Sequence, residues 1–439
     1  MIKHYQSSKY MTSFHQEMEE IDKGKQVVLS FDSDKTYQEI LGFGGAFTEA
    51  AAYTFYQMPK QKQKKLLDAY FHPDHGLRYN LGRVSIHSCD FSLNNYTYIE
   101  EGDVDLKTFN IDRDLKYVIP MILSAGEYRK KPIKILASPW SPPAWMKSNG
   151  DMNHGGYLLD QYKDAWSSYY IKFLEQYDKH GVHFFGLTVQ NEPAAKQIWD
   201  SCIYTKEEEK DFVKEYLGPK LRQSSFKDLM LFIWDHNRDL MVERAQAAFD
   251  DPEAEKYIDG IAYHWYVSEA FENLKKVHDL YPDKHILFTE GTIEGGVHLN
   301  QFETGERYAR NMIGDFSNYS EGYIEWNLLL NEEGGPNHVG NYCDAPMIYD
   351  RNKDELILNS SYYAIGHFSK HIEAGALRIE SKLNSNLLKQ VAFKNPNGDI
   401  VIVIQNETEQ DEVISIHHQD QHHFQIKSRS ISTLIIREK

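Results

Sequence analysis

"FFGLTVQNEP", residues 184 to 193, is apolar along most of its length and then stops at Asn191-Glu192-Pro193, a carboxylate held between an amide and a proline. It reads as an apolar strand that ends on an acid. The same kind of run recurs along the chain at a nearly even stride: "ILGFGGAF" (40–47), "LGRVSIH" (81–87), "IKILASP" (133–139), "LMLFIWDH" (229–236), "DGIAYHWY" (259–266), "HILFTEG" (285–291) and "GYIEWNLLL" (322–330). With the opening run these make eight. The segments between them have helical periodicity. In "TKEEEKDFVKEYLGPKL", Thr205 and Glu208 form a capping box, and Phe212, Tyr216 and Leu217 share a face.

Apolar strands alternating with helices are parallel βα units, and eight of them predict an α/β fold of the (β/α)8 TIM-barrel type. An open doubly wound sheet is the runner-up. No GxGxxG follows the first run, so the order Gly42-Phe43-Gly44-Gly45 gives nucleotide binding little support and is better read as glycines that let backbones approach closely. After the helix-like "SSYYAIGHFSKHI" (360–372) the pattern changes. "LKQVAFKNPNGDIVIVIQN" (388–406), "EVISIHH" (412–418) and "STLIIRE" (432–438) alternate as antiparallel strands, and the early run "KQVVLSF" (25–31) can add another.

Lys and Arg total 48 against 65 Asp and Glu, a net charge of −17 that repels phosphate backbones and anionic lipid surfaces. Nucleic acid and stable membrane association are therefore not expected. The three cysteines, Cys89, Cys202 and Cys343, lie far apart without metal-ligand spacing, which fits a reducing compartment. The N-terminus lacks the apolar run of a signal peptide, and the expected location is the cytoplasm. Self-association into a homo-oligomer is compatible with all of this.

In a barrel of this type chemistry gathers at the strand C-termini. Glu192 ends the fourth predicted strand and Glu290 the seventh, on opposite sides of the mouth, and such a pair is what glycosidic bond cleavage requires. Aromatic and imidazole rings at neighbouring strand ends, Trp140, His264, Trp265, Tyr266 and Trp326, suit stacking on a sugar. Asp90 can accept from sugar hydroxyls, Asn191 can donate to a ring 2-hydroxyl, Asn341 belongs to the same face, and Arg83 can hold Glu290 ionised.

Seven motifs in order resemble glycoside hydrolase family 30, the family of the lysosomal glucosylceramidases, and especially its bacterial members: "GFGGAFTEAAA", "GRVSIHSCDFS", "ASPWSPPAWMKSNG", "VQNEPAAKQIWDSCIYT", "GIAYHWY", "FTEG" and "EWNLLLNEEGGPNHVGNYCDAPMI". The resemblance implies a retaining β-glycosidase whose barrel (residues 36–373) carries a side β-sandwich made by both chain ends (1–35 and 374–439). It implies Glu192 as acid/base and Glu290 as nucleophile. Asp90, Trp140, Asn191, Tyr266, Trp326 and Asn341 would surround the sugar, with Tyr204 near the cleft and His264, Arg83 and Glu49 in support. Against the glucosylceramidase pattern the chain has Glu49, His87 and Gly291-Thr292, departures expected at the rim, where they bear on the aglycone.

The reaction expected is double displacement on a small-molecule glycoside, with no metal or organic cofactor. It leads to the expectation that Glu192 has a raised pKa and Glu290 a normal or lowered one. Asp90, toward the non-reducing edge, favours β-glucose, β-fucose or β-galactose over xylose. The alternatives are a β-xylosidase or β-1,6-glucanase of the same family and, from another class, an inactive sugar-binding protein. "HHQDQHH" (417–423) carries four histidines that could bind a metal, although an exposed hairpin tip is the plainer reading.

Overall fold

The computed structural model describes residues 2–22, 26–418 and 420–437. Eight parallel strands close into a barrel: Gly42–Ala46, Leu81–Ile86, Lys134–Pro139, His183–Thr188, Met230–Asn237, Gly260–His264, His285–Glu290 and Gly322–Glu325, the last pairing with the first. The first strand's glycines serve close approach: a Cβ on Gly44 would lie 2.1 Å from the Leu81 carbonyl oxygen. Two of the eight runs end earlier than their apolar character suggests. The fourth strand stops at Thr188, which leaves Glu192 in the following loop, and the eighth stops at Glu325, after which Leu330–Asn331 joins a separate three-stranded sheet.

Strand parity sorts the barrel interior into layers. Leu81, Leu136, Ala262, Leu287 and Ile324 form an internal apolar cluster with Phe232. Two residues beyond Leu81, Leu136, Ala262, Leu287 and Ile324, on the same face, come Arg83, Ser138, His264, Thr289 and, just past the end of the eighth strand, Trp326. Along these five strands the inward face thus passes from an apolar layer to a polar or aromatic one. Intervening residues such as Val84, Ile135, Ile261 and Ile286 face outward and join the helices in the main core.

The chain ends build a nine-stranded sheet, in the order Asp420–Ile426, Glu412–His418, Gln26–Glu39, Leu377–Leu383, Leu388–Lys394, Ile400–Asn406, Ser430–Ile436, Ile2–Ser8, Gln16–Met18. It folds over on itself as a β-sandwich: Ile414, Ile416 and Phe424 from one end share a core with Ile400, Ile402, Ile404 and Leu434 from the other. The alternate residues Val401 and Val403 face the opposite way and join the barrel's core, where helices Phe302–Ser317 and Ser360–Ser369 pack. One strand therefore serves two cores. Among the described residues no helix is long and apolar enough to cross a membrane.

Where Ile2–Ser8 meets helix Ser360–Ser369, imidazoles gather. His15 stacks on Tyr5 and on His371, with the two histidine Nε2 atoms 3.0 Å apart, and His367 lies against His15. Burial holds His15 down to about 3 and His4 to about 4, and pushes His367 and His371 well below the ordinary histidine range. Unfolding raises these pKa values, so the unfolded chain binds more protons once the pH falls below about 6.5. Stability should be fully present above that pH and fall by about 1.4 kcal/mol per pH unit for each proton taken up. Unfolding temperatures of the wild type and of His15→Asn, followed from pH 7.5 to 4.5, should diverge, the variant losing less. Parallel curves would show that this interface does not set acid stability.

Candidate active site

Glu192 departs from regular backbone, with φ of 48°. Its N–H donates to the Asp235 carbonyl at 3.0 Å and that of Val189 to the Phe232 carbonyl at 3.0 Å, so the loop continues alongside the fifth strand. The fifth strand is itself irregular. Its pairing with the sixth shifts register between Trp234 and His236, and Trp234 and Asp235 take φ of 73° and 49°. This bulge turns the Asp235 carboxylate into the barrel.

Arg83, fully buried, organises the floor. Its guanidinium donates to Glu290 Oε2 at 2.6 Å, Asp235 Oδ2 at 2.7 Å, Asn191 Oδ1 at 2.9 Å and Ser138 Oγ at 3.1 Å. Trp140 and Trp326 stack on each other with ring centres 5.2 Å apart, and both face the guanidinium. Burial lowers the Arg83 pKa, but the charges of Asp235 and Glu290 outweigh it and hold the group firmly cationic. Asp235 also accepts from Thr188 and Thr289. Against its burial, Arg83 and His264 hold it well below the usual carboxylate range.

His264 joins the carboxylates. Its Nε2 lies 3.0 Å from Asp235 Oδ1 and its Nδ1 3.2 Å from Glu192 Oε1. Both partners are acceptors, so both ring nitrogens carry protons, and despite burial the charges of Glu290 and the bonds to Asp235 and Glu192 raise its pKa to about 9. Glu290 receives the Tyr266 hydroxyl at 2.9 Å, and Glu192 the Gln197 amide at 3.3 Å. One carboxylate oxygen of Glu192 and one of Glu290 lie within 4.8 Å of each other.

The two acids stand in the reverse of the expected order. Burial pushes Glu192 up, but the His264 hydrogen bond and the charges of His236 and His264 pull it below the ordinary glutamate range. Burial wins at Glu290, aided by the Glu192 charge, and its pKa is raised in spite of His264 and Arg83. In the free site the proton that an acid at Glu192 would need resides on His264.

A cavity of about 260 Å³ opens above this floor, lined by Glu192, Glu290, Asp90, Trp140, Asn191, Tyr266, Trp326 and Asn341 among others. At one side Asp90 accepts from Asn337 at 3.1 Å and from Asn341 at 3.2 Å; burial, then the Glu290 charge, push it up to about 7. Asp90 makes no pair with Arg83. Glu49 stands away from the cavity, braced to Arg113 at 2.7 Å and accepting from the Leu93 N–H at 2.8 Å, so it steadies the loop that follows Asp90.

Three of the expected rings do not line the cavity: His264 is fully buried, bonded to Glu192 and Asp235 in place of stacking on a sugar, and two others point away. Tyr204 is buried against Phe212, its N–H bonded to the Pro193 carbonyl, because its loop passes beneath the Glu192–Pro193 segment. Trp265 lies between the inward His264 and Tyr266 and therefore faces outward, onto Phe288 and Tyr308. His87 is likewise buried, bonded to the Tyr169 hydroxyl, instead of standing at the rim. The reading of the sequence left out Asp235, His236, Gln197 and Asn337. Asp235 carried the same signal as the two glutamates, an acid at the end of an apolar run. In "HHQDQHH", His417 pairs with Gln421 and His418 with Asp420 in two antiparallel strands, His422 Nδ1 lies 3.1 Å from a Glu20 carboxylate oxygen, and Gln419 lies outside the described residues.

Comparison with known proteins agrees with this geometry. The model of the glycosyl hydrolase family 30 TIM-barrel domain matches residues 40–372, and that of the family's beta sandwich domain residues 375–434. The chain is 36% identical over 412 residues to the lysosomal acid glucosylceramidase of Mus musculus, covering 90% of this chain and 80% of that one. It is 27% identical over 395 residues to the endo-1,6-beta-D-glucanase neg1 of Aspergillus fumigatus, covering 84% and 78%. The crystal structure of SrfJ from Salmonella typhimurium superposes with a TM-score of 0.95 at 37% identity, each chain covered in full. Barrel, sandwich and relatives together place this chain in glycosyl hydrolase family 30, and it is a glycoside hydrolase.

Proposed function

We propose that the enzyme hydrolyses β-glucosides, or the related β-fucosides and β-galactosides, by double displacement, with Glu290 as nucleophile and Glu192 as acid/base. The observation that carries this reading is that an oxygen of one carboxylate lies within 4.8 Å of an oxygen of the other, on the side of the short separation of retaining glycosidases, roughly 5–5.5 Å between carboxyl groups, and not of the roughly 6.5–9.5 Å of inverting ones. Inverting enzymes need a wider gap for water. In the first step a Glu290 oxygen bonds to the anomeric carbon as the bond to the aglycone oxygen breaks, and that oxygen takes a proton from Glu192. In the second, Glu192 removes a proton from water, whose oxygen displaces Glu290 and releases the sugar.

The proton inventory supports these roles. The His264 proton reaches Glu192 Oε1 along the existing 3.2 Å bond, leaving a neutral imidazole whose Nε2–H still serves Asp235. Glu192 is then the acid. The transfer removes the Glu192 charge that repels Glu290 and also the His264 charge that favours its ionisation, so Arg83 and the Tyr266 hydroxyl are left to hold the nucleophile ionised. Asn191 spends its oxygen on Arg83, which leaves its amide N–H free to donate to the sugar 2-hydroxyl.

The glucoside preference rests on Asp90, Asn337 and Asn341, which form a polar wall suited to hydroxyls away from the anomeric carbon. It agrees with the mouse glucosylceramidase relative. The second reading is a β-1,6-glucanase, favoured by the Aspergillus relative and by an exposed flank at Ile198 and Val267. Hydrolysis of nitrophenyl β-glucoside, β-fucoside, β-galactoside and β-xyloside, together with β-1,6-glucan, should rank the glucoside first among the small substrates, and proton NMR should show the β-anomer released first. Preference for the xyloside would overturn the argument from Asp90; initial release of the α-anomer would overturn the mechanism. The acidic surface and the free cysteines go with a cytoplasmic location.

A further inference from the structure

At the opposite end of the barrel, where the first two strands begin, a second cavity of about 180 Å³ is lined by Arg78, Asn80, Arg129, Lys131, Ser369 and Glu373, among others. Its charge runs against that of the chain, whose net charge is −17. Arg78 donates to Glu373 at 3.3 Å and to the Lys370 carbonyl at 3.0 Å. Arg129 donates only to the Pro132 carbonyl, and among the described residues neither Arg129 nor Lys131 has a carboxylate at ion-pair distance. Three cations against one carboxylate leave two positive charges uncompensated. Burial and the Arg78 charge both hold Arg129 below the ordinary guanidinium range, the mark of like charges facing one another.

A second observation points the same way. Ser369 is 2% exposed, and its hydroxyl has no hydrogen-bond partner, although it borders this cavity. A buried hydroxyl without a partner costs stability unless something else accepts from it. Asn80 cannot accept from it, because the Asn80 oxygen already accepts from the Phe43 N–H while one of its amide hydrogens goes to the Leu41 carbonyl. We propose that this pocket binds a phosphate-type dianion, free or as the monoester of a sugar, through Arg78, Arg129 and Lys131, with the Ser369 hydroxyl donating to one oxygen. The dianion matches the uncompensated charge, and guanidinium forks suit phosphate oxygens.

Isothermal titration of the full chain at constant ionic strength tests this. Inorganic phosphate and glucose 6-phosphate serve as probes, with glucose and chloride as controls. One saturable site per chain is expected for a phosphate, weakened about tenfold or more in Arg129→Gln/Lys131→Gln. Affinity for glucose 6-phosphate should rise from about pH 5 to 7 as the ester loses its second proton, while affinity for sulfate stays level. Tighter binding of the ester than of inorganic phosphate identifies the ester as the ligand; equal affinity identifies the free ion. No saturable heat, equal binding of chloride, or unchanged affinity in the double variant would overturn the proposal. Should that variant not fold, Lys131→Gln and Ser369→Ala measured singly give the same reading. The readout is binding, so it stands apart from the assignment of the glycosidase activity, which these variants should leave unchanged.

Discussion

Glu290→Gln is expected to lower kcat/KM for nitrophenyl β-glucoside by at least about 10⁴-fold, as loss of an attacking group does when no neighbour can replace it. No neighbour can here. Glu192 sits on the other side of the anomeric carbon in the proposed pose, and Asp235 is fully buried, its oxygens held by Arg83, His264, Thr188 and Thr289. The variant should still fold. The glutamine oxygen can accept from Arg83, and that guanidinium keeps its bonds to Asp235, Asn191 and Ser138, so no buried cation is abandoned. Mass spectrometry supplies the independent check: a 2-fluoro-glucoside should add one glycosyl mass to the wild type at Glu290 and none to Glu290→Gln. Adduct at another residue, or turnover within tenfold of wild type, would remove Glu290 from its role.

The two glutamates were legible because an acid that closes an apolar run near a barrel mouth is a conspicuous residue in a conspicuous place. Asp235 has the same signature, yet counting from the inward Phe232 by alternation puts Trp234 inside and Asp235 outside. Only the bulge at Trp234 and His236 reverses that assignment, and a one-residue slip in pairing leaves no trace in composition. Trp265 is the converse. Its outward direction follows from the inward His264 and Tyr266 on either side, so parity alone could have removed it from the cleft. The strand Ile2–Ser8, expected in the sandwich only through the family resemblance, has no signal in its own residues: "IKHYQSS" buries His4, Gln6, Ser7 and Ser8, and pairs with Ser430–Ile436 along its length. The order of the two acids escaped for a related reason. It depends on the proton carried by His264, which is set jointly by carboxylates from the fourth, fifth and seventh strands or the loops after them, and no single stretch of sequence contains that sum.

Glu192→Ala separates the two halves of the reaction. With an alkyl β-glucoside the leaving oxygen needs its proton, and the loss should approach the upper end of the roughly 10²–10⁴-fold range of general acid catalysis. A dinitrophenyl leaving group departs without help, so with that substrate glycosylation of Glu290 should proceed at near wild-type rate and the covalent intermediate should accumulate as a burst. Water cannot then be deprotonated, and turnover should stall until azide, which needs no base, enters the space the carboxylate vacated. The product should be the β-glucosyl azide, because attack comes from the face the aglycone left. His264 makes the prediction sharper. Without Glu192 its Nδ1 proton has lost its acceptor, while Asp235 still holds the ring at Nε2. The alkaline limb of kcat/KM, which reports protonation of the His264–Glu192 pair in the wild type, should therefore flatten for the dinitrophenyl substrate. An α-azide product, or no acceleration by azide, would show that Glu192 is not the acid/base; rescue with an unchanged alkaline limb would keep Glu192 in place and remove the proton from His264.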